Sequence, residues 1–337
     1  MPSLALGRKA NVAYTQGIVT NIAPLAVSLG DPTGIGYEIV LRALAAEPEL
    51  VSQVVLFGDG DWLALVAARF ALPVPAARLH HLPLPAAVTL GAPSDVSGAA
   101  AIVALAAATD AARAGRCSGL VTAPLAKLWA QRAGFAHAGH TEYLAAACGV
   151  DEAVMMFAGP RLRVALATVH CPLAAVPGLL TVERVSRVAA TLATTLIRDF
   201  GVVQPRVAVL GLNPHAGEAG TIGTEEQTVV TPALTAAATQ VPPATFLGPW
   251  VPDVGFRQVL AGHADALVAL YHDQALIPVK LIDFEDSVNV TLGLPMVRTS
   301  PDHGTAFDIA AAGIARPTSM RAALRLARQM ALHRHAG

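Results

Sequence analysis

The stretch RVAVLGLNPH, from Arg206 to His215, is a short apolar and β-branched segment that ends in a polar turn and a histidine. Two other stretches have the same form, because RVALATVH ends at His170 and ALVALYH ends at His272. Short apolar runs bounded by turn residues are typical of strands that are buried on both faces. The sequence therefore predicts three buried strands, each followed closely by an imidazole.

Strand-like and helix-like segments alternate along the rest of the chain. Helical spacing is found over 99–114, 182–200 and 319–333, and further strands are predicted at 24–30, 54–58, 119–124 and within 287–301. This alternation predicts an α/β fold with a parallel sheet, arranged as two interleaved lobes around a cleft. The sequence contains neither a GxGxxG after a strand nor a GxxxxGK[ST], so it has no Rossmann fingerprint and no P-loop.

Composition excludes several classes of function. Charged residues make up 14% of the chain and the formal net charge is -1, which is not the electrostatic footprint of a nucleic-acid-binding protein. Mean hydropathy is +0.52, but the Ala-rich stretch around 98–109 is shorter than the roughly 20 residues that span a bilayer. We therefore expect a protein that neither spans a membrane nor binds nucleic acid.

The cysteines and the N-terminus indicate a cytoplasmic protein. Cys117, Cys148 and Cys171 are odd in number and form no CxxC, which suits a reducing compartment. The segment before Pro24 has no compact apolar core with a cleavage site, so no signal peptide is predicted. We expect residues 1–23 to be a flexible extension and residues 24–337 to be one catalytic unit.

The three histidines predict a metal site. Ligands of open α/β sheets bind at the carboxyl ends of the strands, where all three imidazoles should emerge. Three neutral imidazoles with an open fourth position match a catalytic divalent-metal centre. A single histidine in this position is more often a packed structural residue, but three in the same context favour metal binding. Their long, irregular separations require assembly by the fold or by two chains.

Polar residues elsewhere suggest an anion site. Lys280, Asn289 and Arg298 lie in apolar surroundings, where an unpaired cation is costly, and together they would form a clamp for phosphate or carboxylate. The alternative is internal pairing of the cations with Asp283, Asp286 or Asp302.

Two helix starts add candidate contacts. In Gly139-His140-Thr141-Glu142, the Thr hydroxyl could cap a helix and the His could face a ligand. The turn GDPTGIG at 30–36 could present backbone N–H groups to an anion, or could be only a tight turn.

Seven blocks together resemble the 4-hydroxythreonine-4-phosphate dehydrogenase family of vitamin B6 biosynthesis. They occur in order from about Pro24 to the C-terminus and read GDPTGIG, GHTE, ATVHCPL, GLNPHAGE, YHDQALIPVK, VNVTLGLP and RTSPDHGTAFDIA. The resemblance implies a homodimer with an isocitrate/isopropylmalate-dehydrogenase-like fold, which agrees with the missing Rossmann fingerprint.

The resemblance also implies roles for individual residues. His170, His215 and His272 correspond to the ligands of a divalent metal (Zn, Mg or Co), in a site completed across the dimer interface with His272 serving the neighbouring chain. His140, Thr141, Lys280, Asn289 and Arg298 correspond to contacts of a phosphorylated substrate. The implied reaction is metal-assisted hydride transfer from C3 of the substrate to NAD or NADP, followed by loss of CO2.

One block departs from the family pattern. At 248–256 the chain reads GPWVPDVGF, where the family usually has GP-x-x-ADT-x-F. Asp253 is retained and is a candidate acceptor for the hydroxyl proton, but Pro252 and Val254 replace Ala and Thr. Substrate choice is therefore open to related dehydrogenases of four-carbon acid-sugar phosphates or aromatic cis-dihydrodiols. A metal-dependent phosphohydrolase is a further alternative.

Overall fold

The structure is a computed structural model that describes residues 22–336 of the chain. Almost all of the predicted N-terminal extension, 1–23, lies outside these residues. The described chain forms one continuous sheet of 11 strands with helices on both faces. The predicted α/β class is therefore confirmed.

The strands are short, and most are buried. In chain order they are β1 Leu25–Ser28, β2 Val54–Gly58, β3 Arg78–His81, β4 Gly119–Thr122, β5 Val154–Ala158, β6 Arg163–Leu166, β7 Arg206–Leu210, β8 Thr245–Trp250, β9 Ala266–Ala269, β10 Val288–Leu292 and β11 Val297–Pro301. They are hydrogen-bonded in the order β3-β2-β1-β4-β11-β10-β5-β6-β9-β7-β8. The three predicted histidine-bearing strands are β6, β7 and β9.

The helices lie between the strands along the chain and after the last of them. They are α1 Gly36–Ala46, α2 Pro48–Val51, α3 Gly60–Arg69, α4 Asp95–Arg113, α5 Lys127–Arg132, α6 His140–Cys148, α7 Val176–Leu179, α8 Val182–Phe200, α9 Thr231–Gln240, α10 Pro252–Leu260, α11 His272–Asp283 and α12 Thr318–Ala336. The predicted helix 182–200 coincides with α8. The Thr181 hydroxyl caps its start, and Gly201 ends it in the left-handed conformation, with a φ of 68°.

The sheet is mixed rather than parallel, which corrects the sequence prediction. Strands β1 to β4 and β11 run in one direction, whereas β6, β7, β8 and β9 run in the other. The reversal occurs at β10 and β5, which pair antiparallel with their neighbours. Short connections after β5 and β10 permit only hairpins, since a parallel pair needs a long crossover. The carboxyl ends of the two parallel blocks therefore lie at opposite edges of the sheet.

The two faces of the sheet are covered differently. Helices α8 and α12 pack across the centre on one face, where the largest apolar cluster lies. On the other face, α4 covers the first parallel block, while α10 and α11 cover the second. On this second face, the cavity described below lies over the central strands, between α4 and the pair α10 and α11.

Helix α4 is part of the core. It is the one described helix that is long and apolar enough to cross a membrane, judged by length and composition alone. Half of its most apolar window is buried, and it packs on β1, β2 and β4. These contacts account for its apolar character within a folded domain.

Candidate functional site

A cavity of about 370 Å³ lies on the face of the sheet over the central strands. Side chains at alternate positions of a strand point to the same face, so the central strands present polar groups together here. The lining includes four predicted substrate contacts, His140, Thr141, Asn289 and Arg298, and one predicted metal ligand, His170. Lys127, Glu142 and Asp302 also line it.

Arg298 is the most unusual side chain in the cavity. It is only 2% exposed, and its guanidinium donates to the hydroxyls of Thr122, at 2.7 Å, and Thr291, at 2.9 Å. Its Nε has no hydrogen-bond partner, and within residues 22–336 no carboxylate forms an ion pair with it. Burial lowers the pKa of Arg298 to about 10, and the charge of Glu142 opposes this shift. The guanidinium therefore remains a buried cation at neutral pH, without a bonded counter-charge.

Strand β10 supplies the neighbouring groups. Asn289 and Thr291 are two residues apart on β10 and so face the same side. Thr291 supports Arg298, and the Oδ1 atom of Asn289 is buried with no hydrogen-bond partner. The sequence analysis selected Asn289 but missed Thr291, which the alternation in VNVTL could have identified.

His140 lies beside Arg298 at the first residue of α6. Burial, together with the smaller effects of the nearby charges of Arg298 and Lys127, lowers the pKa of His140 to about 3. The imidazole is therefore neutral at physiological pH and can accept a hydrogen bond. The Thr141 side chain does not cap α6, so the predicted capping role is wrong, although Thr141 does line the cavity.

Lys280 lies on α11, outside the lining of the cavity. Its Nζ is 2.9 Å from Oδ2 of Asp302, and its side chain is 41% exposed. Lys280 therefore has the internal ion pair that the sequence analysis had considered as an alternative. Because Asp302 lines the cavity, Lys280 lies directly behind the part of the cavity wall that Asp302 forms.

His170, His215 and His272 emerge at one edge of the sheet, which we call the histidine edge. They follow β6, β7 and β9, which run parallel and are adjacent in the order β6-β9-β7. The ring centroids of His170 and His272 are 5.8 Å apart. Burial lowers the pKa of His170, with smaller contributions from Lys127 and His272, so this imidazole favours the neutral form that can ligate a metal.

His215 begins an unusual turn. Residues 215–219 all have left-handed φ values, between 43° and 79°, and only one of them is glycine. Each non-glycine residue in this conformation costs roughly 1–2 kcal/mol. The turn is held by the buried carboxylate of Glu226, which accepts from the backbone N–H groups of Leu212, at 2.7 Å, and Asn213, at 2.8 Å. The sequence analysis did not identify Glu226.

One chain brings two of the three predicted metal ligands together. On one ion, with metal–nitrogen distances of about 2.1 Å, two imidazole rings have centroids roughly 5 Å apart. The spacing of His170 and His272 fits this arrangement. Among residues 22–336, no group of three or more His, Cys, Asp or Glu side chains is close enough to hold an ion. His170 and His272 are thus spaced as two ligands of one ion, and within residues 22–336 no third side chain of these types joins them.

Asp253 lies in the first turn of α10, after β8, and is exposed. Strand β8 is three positions from β6 in the sheet, which is about 14 Å at the usual spacing. Asp253 does not line the cavity of its own chain.

The turn at 30–36 is occupied by internal contacts. Asp31 accepts from the N–H of Thr33 at 2.9 Å, and Ile35 donates to the carbonyl of Thr305 at 3.0 Å. A Cβ on Gly34 would lie 2.8 Å from the same carbonyl oxygen. These contacts favour the tight-turn interpretation over anion binding.

The fold and the cavity are those of an α/β protein with a buried cationic site suited to a small anionic molecule. A family model described as pyridoxal phosphate biosynthetic protein PdxA matches residues 45–327. The chain belongs to this family, and the resemblance inferred from the sequence blocks is confirmed.

Relatives and solved structures agree with this assignment. The chain is 46% identical over 329 residues to 4-hydroxythreonine-4-phosphate dehydrogenase from Erythrobacter litoralis, covering 92% of this chain and 97% of the relative. The crystal structure of 4-hydroxythreonine-4-phosphate dehydrogenase from Klebsiella pneumoniae matches with a TM-score of 0.84 and 37% identity, over 92% and 99% of the two chains. A terephthalate 1,2-cis-dihydrodiol dehydrogenase from Burkholderia xenovorans matches with a TM-score of 0.67 and 30% identity, over 91% and 98%.

Proposed function

We propose that the protein oxidises 4-phosphooxy-L-threonine to 2-amino-3-oxo-4-phosphooxybutanoate, with a divalent metal and NAD or NADP. The product loses CO2 to form 3-amino-2-oxopropyl phosphate, a precursor in vitamin B6 biosynthesis. Membership of a family with dehydrogenase relatives supports a nicotinamide cofactor and a phosphorylated substrate. The observation that carries the proposal is the buried Arg298 guanidinium, which lacks a bonded counter-charge and faces the cavity.

Arg298 and Asn289 are proposed to bind an anionic group of the substrate. An unpaired buried charge is costly, and a phosphate or carboxylate would offset this cost while accepting from the guanidinium. Thr122 and Thr291 hold the guanidinium in one orientation, so little conformational freedom is lost on binding. Lys280 contributes positive charge from behind the Asp302 wall.

His140 and Thr141 are proposed to orient the substrate. Because the imidazole of His140 is neutral beside two cations, it can accept a hydrogen bond from a substrate hydroxyl or ammonium without adding repulsion. Its position next to Arg298 would fix the reacting carbon relative to the bound anion.

His170, His215 and His272 are proposed to hold the metal. A bound divalent ion would lower the pKa of the C3 hydroxyl and stabilise the oxyanion, while the nicotinamide accepts the hydride. Imidazole ligands suit Zn or Co better than Mg. Asp253 is retained as a candidate proton acceptor, which would have to reach the site from the partner subunit.

A homodimer would complete the metal site. Helix α11, which begins at His272, exposes Ile277 and Leu281, and Phe284 directly follows its last residue; the exposed fractions of the three are 61%, 81% and 68%. These residues follow helical spacing and form one apolar stripe. An apolar stripe on the helix that carries a proposed ligand supports association of two copies near the histidine edge.

The cytoplasm is the proposed location. Cys117, Cys148 and Cys171 are all free thiols, which suits a reducing compartment. A biosynthetic enzyme that uses a nicotinamide cofactor would find its cofactor there.

Oxidation of a carboxylated aromatic cis-dihydrodiol is the second candidate. The similarity to the Burkholderia xenovorans enzyme and the altered segment around Pro252 and Val254 favour it. A carboxylate could occupy the Arg298 site in place of phosphate.

A substrate panel tests the proposal. The protein is incubated with Zn²⁺ or Co²⁺ and with NAD or NADP, and nicotinamide reduction is measured at 340 nm. We expect reduction with 4-phosphooxythreonine and at least tenfold less with 4-hydroxythreonine, which lacks the phosphate. Reduction only with the dihydrodiol would support the second candidate. Release of inorganic phosphate without nicotinamide reduction would indicate a phosphohydrolase.

A further inference from the structure

A chain of three hydrogen bonds connects the strand ends at the histidine edge. The Thr168 hydroxyl, after β6, donates to the Leu270 carbonyl at 2.7 Å. The N–H of Leu270, after β9, donates to Oε1 of Gln274 at 2.7 Å. Nε2 of Gln274 then donates to the carbonyl of Gly211, after β7, at 2.8 Å. Each connected segment carries one of the three histidines.

Gln274 occupies the key place in this chain. It is 9% exposed, and its amide oxygen and amide nitrogen both have backbone partners. One partner is a donor and the other is an acceptor, so only one orientation of the amide satisfies both. Neither Glu, which lacks the donor, nor Met, which lacks both groups, can replace it.

The hydrogen bond from Gln274 to the Gly211 carbonyl joins two segments that carry histidines. Gln274 lies two residues after His272, and Gly211 lies four residues before His215. We propose that Gln274 is a positioning residue that fixes the His215 segment relative to the His272 segment.

Glu226 supports this assignment from the other side of the turn. Its carboxylate holds the N–H groups of Leu212 and Asn213, while Gln274 holds the carbonyl of Gly211. Three consecutive residues before the left-handed turn are thus anchored by buried side chains. Glu226 fixes the turn internally, whereas Gln274 connects it to the segment that carries His272.

Hydrogen exchange of the metal-free protein tests the proposal directly. In Gln274→Met we expect at least tenfold faster exchange of the Leu270 amide and of the amides within 212–215, which are those of Leu212, Asn213 and His215 because Pro214 has none. In Gln274→Glu the Leu270 amide should stay protected, because an acceptor remains, while 212–215 exchanges faster. Unchanged exchange at 212–215 in both variants would overturn the proposal. If Gln274→Met does not fold, the exchange at 212–215 in Gln274→Glu alone tests the proposal.

A second experiment measures metal affinity, and it rests on the proposed metal site. In chelator competition with Co²⁺, Gln274→Met should bind at least about tenfold more weakly than the wild type, with a shifted visible spectrum. The reason is that the His215 and His272 segments both lose a support, whichever site of a dimer each histidine serves. Asp283→Asn is the matched control, since Asp283 lies at the other end of α11 and holds Arg161 and Leu162. It should lose stability but keep the Co²⁺ affinity.

Hydrogen exchange and Co²⁺ binding together distinguish failure of the proposed metal site from failure of the proposed role of Gln274. If the wild type binds no Co²⁺, the proposed metal function fails, and the exchange data still decide the role of Gln274. If the wild type binds Co²⁺ and Gln274→Met binds it equally well, Gln274 does not position the ligands and the inference is wrong. An equal loss of affinity in Asp283→Asn would also overturn it, because the effect would then reflect general destabilisation.

Discussion

The central cavity and the histidine edge are positioned by different kinds of structure. In the cavity, Arg298 and Asn289 project from paired strands, so strand register and side-chain alternation determine where they point. At the histidine edge, the imidazoles follow their strands by a few residues, and the segment before His215 is held by Gln274 and Glu226, which are distant from it in sequence. The cavity lies within one chain, whereas among residues 22–336 His170 and His272 lie together without a third His, Cys, Asp or Glu ligand. Regular structure thus forms the proposed anion site, and long-range contacts hold the segments that carry the proposed metal ligands.

The largest expected effect is loss of the metal. His170→Ala, or treatment of the wild type with a chelator, should lower kcat/KM by at least about 10³-fold, because a metal contributes several kcal/mol to stabilising the oxyanion. Nicotinamide reduction measures the activity, and elemental analysis measures the bound metal.

The exposed His263 provides the control for this effect. His263→Ala removes an imidazole away from the histidine edge and should leave both activity and metal content unchanged. Full activity of a metal-free wild-type preparation would remove the histidine edge from the mechanism.

The next effect concerns the cavity. Arg298→Met should raise KM by about 30-fold, since a charged hydrogen bond contributes on the order of 2 kcal/mol to binding. The same change removes a buried, unpaired cation, so the free energy of unfolding without substrate should stay the same or increase. Steady-state kinetics and urea unfolding measure the two quantities.

Arg316→Met is the matched control, because Arg316 is exposed and pairs with Glu285 at the surface. It should change neither KM nor stability. An unchanged KM in Arg298→Met would show that the cavity does not anchor the substrate through this cation.

The pH dependence of stability tests the environment of His140. The pKa of His140 is about 3 in the folded protein and ordinarily 6.5, so the unfolded chain binds more protons between these values. The contribution of the neutral imidazole to the free energy of unfolding is therefore fully present above pH 6.5 and is lost as the pH falls towards 3. His140→Asn should reduce the slope of unfolding free energy against pH by up to about 1.4 kcal/mol per unit.

Urea unfolding between pH 7 and 4.5 measures this slope. His263→Asn, which changes an exposed imidazole, should leave the slope as it is in the wild type. Identical slopes for His140→Asn and the wild type would mean that His140 is solvated and protonates normally.

The smallest effect is expected at Lys280. It is partly exposed and paired with Asp302, and such ion pairs contribute roughly 0.2–1 kcal/mol. Lys280→Met should therefore raise KM by no more than about fivefold, and the change should shrink in high salt. A KM increase as large as that of Arg298→Met would show that Lys280 turns into the cavity and contacts the substrate.

Residues on strands were the most predictable part of the site. The apolar runs before His170, His215 and His272 predicted three strands with a common polarity, and the structure has β6, β7 and β9 side by side and parallel. Arg298 and Asn289 were selected because cations and amides are unusual in apolar strands. The exposed strand β3 was not predicted, because it lacks an apolar run.

Features that depend on distant contacts were not predictable. The reversal of strand direction at β5 and β10 follows from which strands pair, and local patterns do not encode pairing. The left-handed turn after His215 is held by Glu226, which lies beyond the motif that contains the histidine. The family resemblance supplied the ligand roles, but it did not indicate that His170 and His272 lie together in one chain.

Subunit mixing tests most directly whether the histidine edge is shared between two chains. His→Ala variants at 170, 215 and 272, each inactive, are mixed in pairs and allowed to exchange subunits, and mass measurements confirm that heterodimers form. Two variants complement only if their ligands belong to different chains of one site. A statistical mixture then regains about a quarter of wild-type activity, because half the dimers are mixed and each has one intact site.

The spacing of 5.8 Å between His170 and His272 predicts that this pair shows no recovery, while mixing His215→Ala with either of the others restores activity. Recovery in the His170 and His272 pair would instead support the sequence-based expectation that His272 serves the neighbouring chain. If heterodimers form and no pair regains activity, the metal site is not shared between subunits, and the account of the histidine edge is wrong.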